Sequence, residues 1–218
     1  MKSLQVFGLA VLALSLPVSA AQRNSDSRDK TEKVGDVLAA LEATPGKVIA
    51  DVGAGEGFYT IRIARAVAPG GHVAAVDVNE KVLDTLRKQL ATDKIDNVDV
   101  ILGAFDDPKL APRTFDSVLV YNTYHEMTEH ESMRRAVFAA LKPGGRLVVV
   151  EALHENIRSA TREAQVKEHE IAPEYVAQEL TATGFQVLET RTDFLPFRDP
   201  KHKGGFWLIV ASKPSLQE

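Results

Sequence analysis

Short apolar runs alternate with stretches of helical spacing along most of this chain. Continuous apolar runs of this length, bounded by turn residues, read as strands buried on both faces. They are expected near 47–52, 72–77, 97–102, 116–121, 146–151, 185–193 and 206–212. Segments with apolar residues three and four apart read as helices near 57–67, 80–91, 129–141 and 173–183. A further helix carries Val34, Val37, Leu38 and Leu41 and stops at Pro45-Gly46. Alternation of this kind implies an α/β fold with a parallel sheet covered on both sides. The last two strands lie close together, joined through Pro196, Pro200 and Gly204-Gly205, and read as an antiparallel pair. Thr128-Glu-His-Glu131 predicts a capping box for the helix 129–141. Pro173 suits a first helical turn and Gly184 the end of the same helix.

The first strand ends in the run Val48-Ile-Ala-Asp-Val-Gly-Ala-Gly-Glu-Gly-Phe58. Gly53, Gly55 and Gly57 place bare backbone between a strand and a helix, where a ligand can approach closely. Amides at the start of that helix are expected to face the ligand. A dinucleotide fingerprint, G-x-G-x-x-G, requires a third glycine where Phe58 stands. Asp51 ahead of the turn repels phosphate and suits a cation. The second strand, Gly71-His-Val-Ala-Ala-Val-Asp77, also ends in an acid. A carboxylate there can accept the hydroxyls of a ribose. The alternative use of Asp77 is to cap the next helix.

This arrangement resembles the class I S-adenosylmethionine-dependent methyltransferases. Leu141-Lys-Pro-Gly-Gly-Arg-Leu-Val-Val-Val150 strengthens the likeness, and in that family the segment leads into strand five. The resemblance implies a Rossmann-like, doubly wound sheet of seven strands, mostly parallel with an antiparallel last strand. It implies S-adenosylmethionine as cofactor, held by Asp51, Gly53, Ala54, Gly55, Asp77, Val78, Phe105 and Asn122. Strand three ends at Leu102-Gly-Ala-Phe-Asp-Asp107, where the family often places an acid on the adenine amino group. Ala104 occupies that position here, leaving Phe105 to lie on the ring and Asp106 as a substitute acid. The helix before the first strand often covers the cofactor or substrate entrance in this family.

Strand four ends at Val120-Tyr-Asn-Thr-Tyr-His-Glu126, a dense polar and aromatic run at the edge where open α/β sheets bind ligands. His125 is the natural general base for an acceptor that must lose a proton, and Glu126 can orient it or take the proton itself. Tyr121 and Tyr124 are candidates to line an aromatic acceptor pocket. The competing use of His125 is to cap a helix or fill a gap. His125-Glu126, His154-Glu155 and His169-Glu170 form three His-Glu pairs. Imidazole and carboxylate together suit borderline metals, but the spacings match no metal signature, and no metal is assigned. Phe194-Leu-Pro-Phe-Arg-Asp-Pro-Lys-His-Lys203 reads as a solvated loop, a substrate flap or a weak membrane-surface contact.

Composition narrows the function. A length of 218 residues suits one domain, and a net charge of −4 offers no electrostatic case for nucleic acid. Cysteine is absent, which excludes disulfides, thiolate metal sites and thiol nucleophiles, and counts against the thiol-using, arsenic-methylating members of the family. Lys2, the apolar run Val6–Leu14 and Pro17-Val-Ser-Ala20 read as a secretory signal cleaved after Ala20, implying a periplasmic or secreted protein. No stable membrane insertion is expected after cleavage. Residues 21–28 are polar and read as a disordered linker, leaving 29–218 as the methyltransferase-like domain. The resulting expectation is methyl transfer to a small-molecule oxygen, nitrogen or carbon acceptor. Its rivals are a non-catalytic exported module that binds a nucleoside-like ligand, and a dinucleotide-dependent oxidoreductase.

Overall fold

The computed structural model describes residues 27–199 and 201–215. The expected signal segment lies outside the described residues, as does most of the expected linker. Ser27 and Arg28, the last two residues of that linker, are already helical, within α1 at residues 27–31. The remaining helices are α2 (Val34–Ala40), α3 (Phe58–Val67), α4 (Glu80–Asp93), α5 (His130–Ala140), α6 (Arg162–Lys167) and α7 (Pro173–Thr183). The strands are β1 (Val48–Val52), β2 (His72–Asp77), β3 (Val98–Leu102), β4 (Phe115–Tyr121), β5 (Leu141–His154), β6 (Gln186–Pro196) and β7 (Gly204–Ser212).

The seven strands form one sheet in the order β3-β2-β1-β4-β5-β7-β6. β1 pairs in parallel with β2 and β4, while β7 runs antiparallel to both β5 and β6. The expected doubly wound sheet with an antiparallel last strand is therefore present. Successive strand residues face opposite layers. Ala50, Val118, Leu147 and Ile209 pack with Val137 of α5 and Val176 and Leu180 of α7. Ile49, Leu119, Val148 and Leu208 pack with Val37 of α2 and Ile63 and Val67 of α3. Burial on both faces is why these strands read as unbroken apolar runs. The chain leaves β1 toward one edge through β2 and β3, then returns to place β4 on the other side of β1. This switch opens a crevice at the carboxyl ends of β1 and β4.

Local expectations meet mixed outcomes. Pro173 opens α7 and Gly184 closes it in a left-handed conformation. Asn79, not Asp77, caps α4 by accepting from the Lys81 N–H. The capping box at Thr128 does not form, because α5 starts at His130 with Glu129 as its N-cap and no side-chain bond there. Pro143-Gly-Gly sits inside β5 as an irregularity, between the pairings Phe115–Leu141 and Ser117–Arg146. The short helix α6 lacks a long apolar stripe and escaped the periodicity reading. Among the described residues, no helix is long and apolar enough to cross a membrane.

Trp207 on β7 is the largest fully buried side chain, and its indole N–H donates to the Ile171 carbonyl. Trp207→Ala should cost about 3–5 kcal/mol in urea unfolding, through lost burial and an orphaned carbonyl. A loss below about 1 kcal/mol would show that this side of the core repacks freely.

Candidate functional site

The crevice divides at Gly53 into two connected cavities. One is lined by Gly53, Val76, Asp77, Val78, Ala104, Phe105, Thr123, Glu126 and Met127. The other is lined by Arg28, Glu32, Asp51, Gly53, Ala54, Phe58, Tyr59 and Tyr121. Gly53 has φ +81°, and a Cβ placed there would stand 2.3 Å from the Thr123 side chain. The chain passes through this point only without a side chain. The amides of the turn that precede α3 are largely bonded within the fold. Gly53 and Ala54 donate to the Val76 carbonyl, Gly55 to Asp77 Oδ2, and Gly57 to the Ala54 carbonyl. These bonds fix the turn against β2.

Asp77 accepts from Gly55 at 2.9 Å and from Asn79 at 2.9 Å, one bond to each oxygen. Both oxygens keep a lone pair, and the carboxylate is held at the cavity wall. Val78 is 44% exposed and Phe105 62% exposed, large values for apolar side chains that line a cavity. Together they offer an apolar surface to a flat ring. Asp106 is exposed and outside the lining. Asn122, at φ 50°, is exposed and lines neither cavity, while Thr123 stands beside Gly53 in its place.

In the second cavity Asp51 is buried and accepts a 2.6 Å bond from the Thr60 hydroxyl. Burial raises its pKa to about 6, with the Thr60 bonds opposing and the nearby Asp77 charge adding to the rise. Glu32 completes an acidic wall, accepting from the Tyr121 hydroxyl at 3.1 Å and from Arg198 at 2.7 Å. Arg28 supplies a cation at the same cavity, lying over the Phe58 ring.

The polar run after β4 forms a 3₁₀ turn, Tyr124–Glu126. His125 is buried there, and its Nδ1 lies 2.8 Å from Glu151 Oε2. Glu151, on β5, is fully buried and also accepts from the Tyr124 and His125 backbone amides. Burial pushes the His125 pKa down, but the Glu151, Glu126 and Glu170 carboxylates together hold it above the ordinary imidazole value. Glu126 is exposed, 3.8 Å from His125 Nε2, and lines the Asp77 cavity. The residue that orients His125 is therefore Glu151, which the sequence reading missed. Its signal was an acid closing the apolar run 147–150 at the ligand edge.

One expectation fails here. Tyr124 does not line an acceptor pocket, because it is fully buried and donates to Glu179 at 2.6 Å beside Arg134. His154 lies apart from His125, paired with Glu170 and stacked on Phe197 at another cleft. His169 does reach His125, with ring centroids 5.8 Å apart.

The sequence matches the family described as "Methyltransferase domain" over residues 43–190. The ubiquinone/menaquinone biosynthesis C-methyltransferase UbiE of Vibrio cholerae is 32% identical over 110 residues, covering 50% of this chain and 42% of that protein. Its counterpart in Pasteurella multocida is 31% identical, covering 49% and 40%. The chain thus spans less than half the length of these curated relatives. A SAM-dependent methyltransferase from Aquifex aeolicus superimposes with TM-score 0.71 at 21% identity, covering 86% of this chain and 93% of that one. The [4+2]-cyclase SpnF superimposes with TM-score 0.72 at 17% identity, covering 86% and 82%.

Asp51 generates a stability test. Its folded pKa of about 6 exceeds the ordinary carboxyl value, so the folded state binds the proton more tightly than the unfolded chain. Its contribution is greatest below pH 4 and is lost as pH rises through 6. Between pH 4.5 and 7, wild type should lose about 2–3 kcal/mol relative to Asp51→Asn in urea unfolding. Parallel pH profiles for the two proteins would show that burial does not perturb Asp51.

Proposed function

We infer, from the premise that this chain belongs to the methyltransferase domain family, that it moves a methyl group from S-adenosylmethionine to a small-molecule oxygen, nitrogen or carbon acceptor. The observation that carries this reading is the pair of cavities that meet at Gly53, at the β1–β4 switch. A ribose-accepting carboxylate and an exposed apolar pair line one end, and buried acid lines the other. The residues fit the cofactor along its length. Val78 and Phe105 would hold the adenine, and Asp77 would accept from the ribose hydroxyls. Gly53 would let the cofactor lie close to the backbone. Asp51, Glu32 and Arg28 would hold the zwitterionic amino-acid end, the acids serving its ammonium and the guanidinium its carboxylate.

The bound cofactor supplies an electrophilic methyl group, so the protein's task is mainly alignment. Glu126 and Met127 bound both the Asp77 cavity and an outer cleft that also contains His125 and His169. An acceptor in that cleft approaches the methyl group past Glu126. Where the acceptor carries a proton, His125 receives it at Nε2. Glu151 occupies Nδ1 and thereby selects the tautomer whose free lone pair is on Nε2. Glu126 supports the developing imidazolium. The UbiE proteins are titled C-methyltransferases, which favours carbon among the acceptor atoms. Export through the segment 1–20 is part of the same reading, and N-terminal sequencing of secreted protein tests it.

Two measurements check the reading. S-adenosylhomocysteine at a hundred times its dissociation constant stabilises by about 2.7 kcal/mol, so thermal unfolding should shift upward by roughly 5–10 °C, with no shift for NAD. Asp77→Ala should abolish that shift while the protein still folds. An unaltered shift in the variant sinks the ribose assignment, and no shift in wild type sinks the cofactor. His125→Gln keeps an N–H for Glu151 and should leave cofactor binding intact. It should lower turnover of a proton-bearing acceptor about 10²–10⁴-fold. Full turnover in this variant removes His125 as the base.

A further inference from the structure

We propose that His125, Glu126 and His169 form a binding site for a divalent first-row transition ion, such as zinc or cobalt. One ligand atom from each of the three residues lies within 4.8 Å of the other two. They come from separate segments: the turn after β4 for His125 and Glu126, and the turn after α6 for His169. Only the fold brings them together.

Three features distinguish the cluster from a chance meeting of polar side chains. Glu151 holds His125 Nδ1 at 2.8 Å and leaves Nε2 free on the side where Glu126 stands 3.8 Å away. A carboxylate behind a histidine in this manner is the usual outer partner of a metal-bound imidazole, fixing its tautomer and raising its basicity. The backbone of His169 is left-handed, at φ 59°, in the bend that directs the chain from α6 to the buried Glu170. The donor set of two imidazoles and one carboxylate matches zinc and other borderline divalent ions, and leaves coordination positions open. Bond lengths of ~2.0–2.1 Å place tetrahedral donors roughly 3.3 Å apart. Glu126 and His169 are exposed, so side-chain rotation can close the remaining gap while buried His125 stays fixed.

Glu126 also lines the Asp77 cavity, so the ion would sit at the boundary between that cavity and the outer cleft. The inference goes beyond the proposed methyl transfer and does not depend on it. An ion takes the same Nε2 lone pair that receives a proton in the metal-free protein. The two uses of His125 therefore belong to different states of the site.

The test is titration of the untagged, metal-stripped chain with Zn²⁺ by calorimetry and with Co²⁺ by visible absorption, without cofactor or acceptor. The expected result is saturation at one ion per chain. Glu126→Gln and His169→Asn should each weaken binding by at least about tenfold. Both alter exposed side chains, and Asn tolerates the left-handed backbone at 169. His202→Ala, which removes the ring nearest His154, should bind like wild type. Glu151→Gln should weaken binding about 10–100-fold. No saturable binding, unchanged affinity in both ligand variants, or loss in His202→Ala alone would overturn the proposal. Because methyl transfer is not the readout, failure here leaves the methyltransferase reading standing, and the reverse also holds.

Discussion

The site depends on one buried carboxylate. Glu151 lies within the apolar strand β5, three residues before its end, fully removed from water. A charge in that position is costly unless hydrogen bonds replace its hydration. Here the Tyr124 amide, the His125 amide and His125 Nδ1 all converge on it. These bonds lock the turn after β4 to β5, fix one imidazole tautomer, and aim the other ring nitrogen into the cleft. Loss of the carboxylate would free the turn and the tautomer together.

The crevice and the outer cleft beside it have different physics. The crevice is built mostly from backbone shape: a glycine turn pinned to β2, a carboxylate held by two amides, and apolar side chains left exposed at the rim. Such features need few residue types, which suits a domain recognised over residues 43–190. The outer cleft is lined by side chains of the 3₁₀ turn, the start of α5 and the segment around α6. SpnF shares the fold with TM-score 0.72 and is titled a [4+2]-cyclase. The shared scaffold therefore leaves the reaction to the side chains around the crevice.

Arg28 and Glu32 show how the N-terminal segment completes the site. Arg28 belongs to α1 and Glu32 follows it, and both line the Asp51 cavity. Arg198, from the loop between β6 and β7, binds Glu32 at 2.7 Å. Two chain segments distant in sequence thus close one end of the crevice. The segment expected as a loop from Phe194 is strand at its start, because β6 runs to Pro196 with Phe194 and Leu195 buried in the core; beyond it Arg198 contributes this ion pair and Phe197 stacks on His154.

The sheet and the glycine turn were legible in the sequence alone. Strands buried on both faces must be apolar throughout, helices must repeat at 3.6 residues, and a tight strand–helix turn needs glycine. Each of these is a local demand written in neighbouring residues. The turn at Gly53 and the acid that closes β2 were legible for that reason. Only the tertiary structure decided the partners of the polar side chains. His125 bonds Glu151, 26 residues away, rather than its neighbour Glu126, and His154 bonds Glu170. Tyr124 left the site for the core, Asn122 yielded its place to Thr123, and His169 arrived from a segment with no strong pattern. A hydrogen bond or shared ligand depends on where elements cross in space, and sequence periodicity carries no information about that distance.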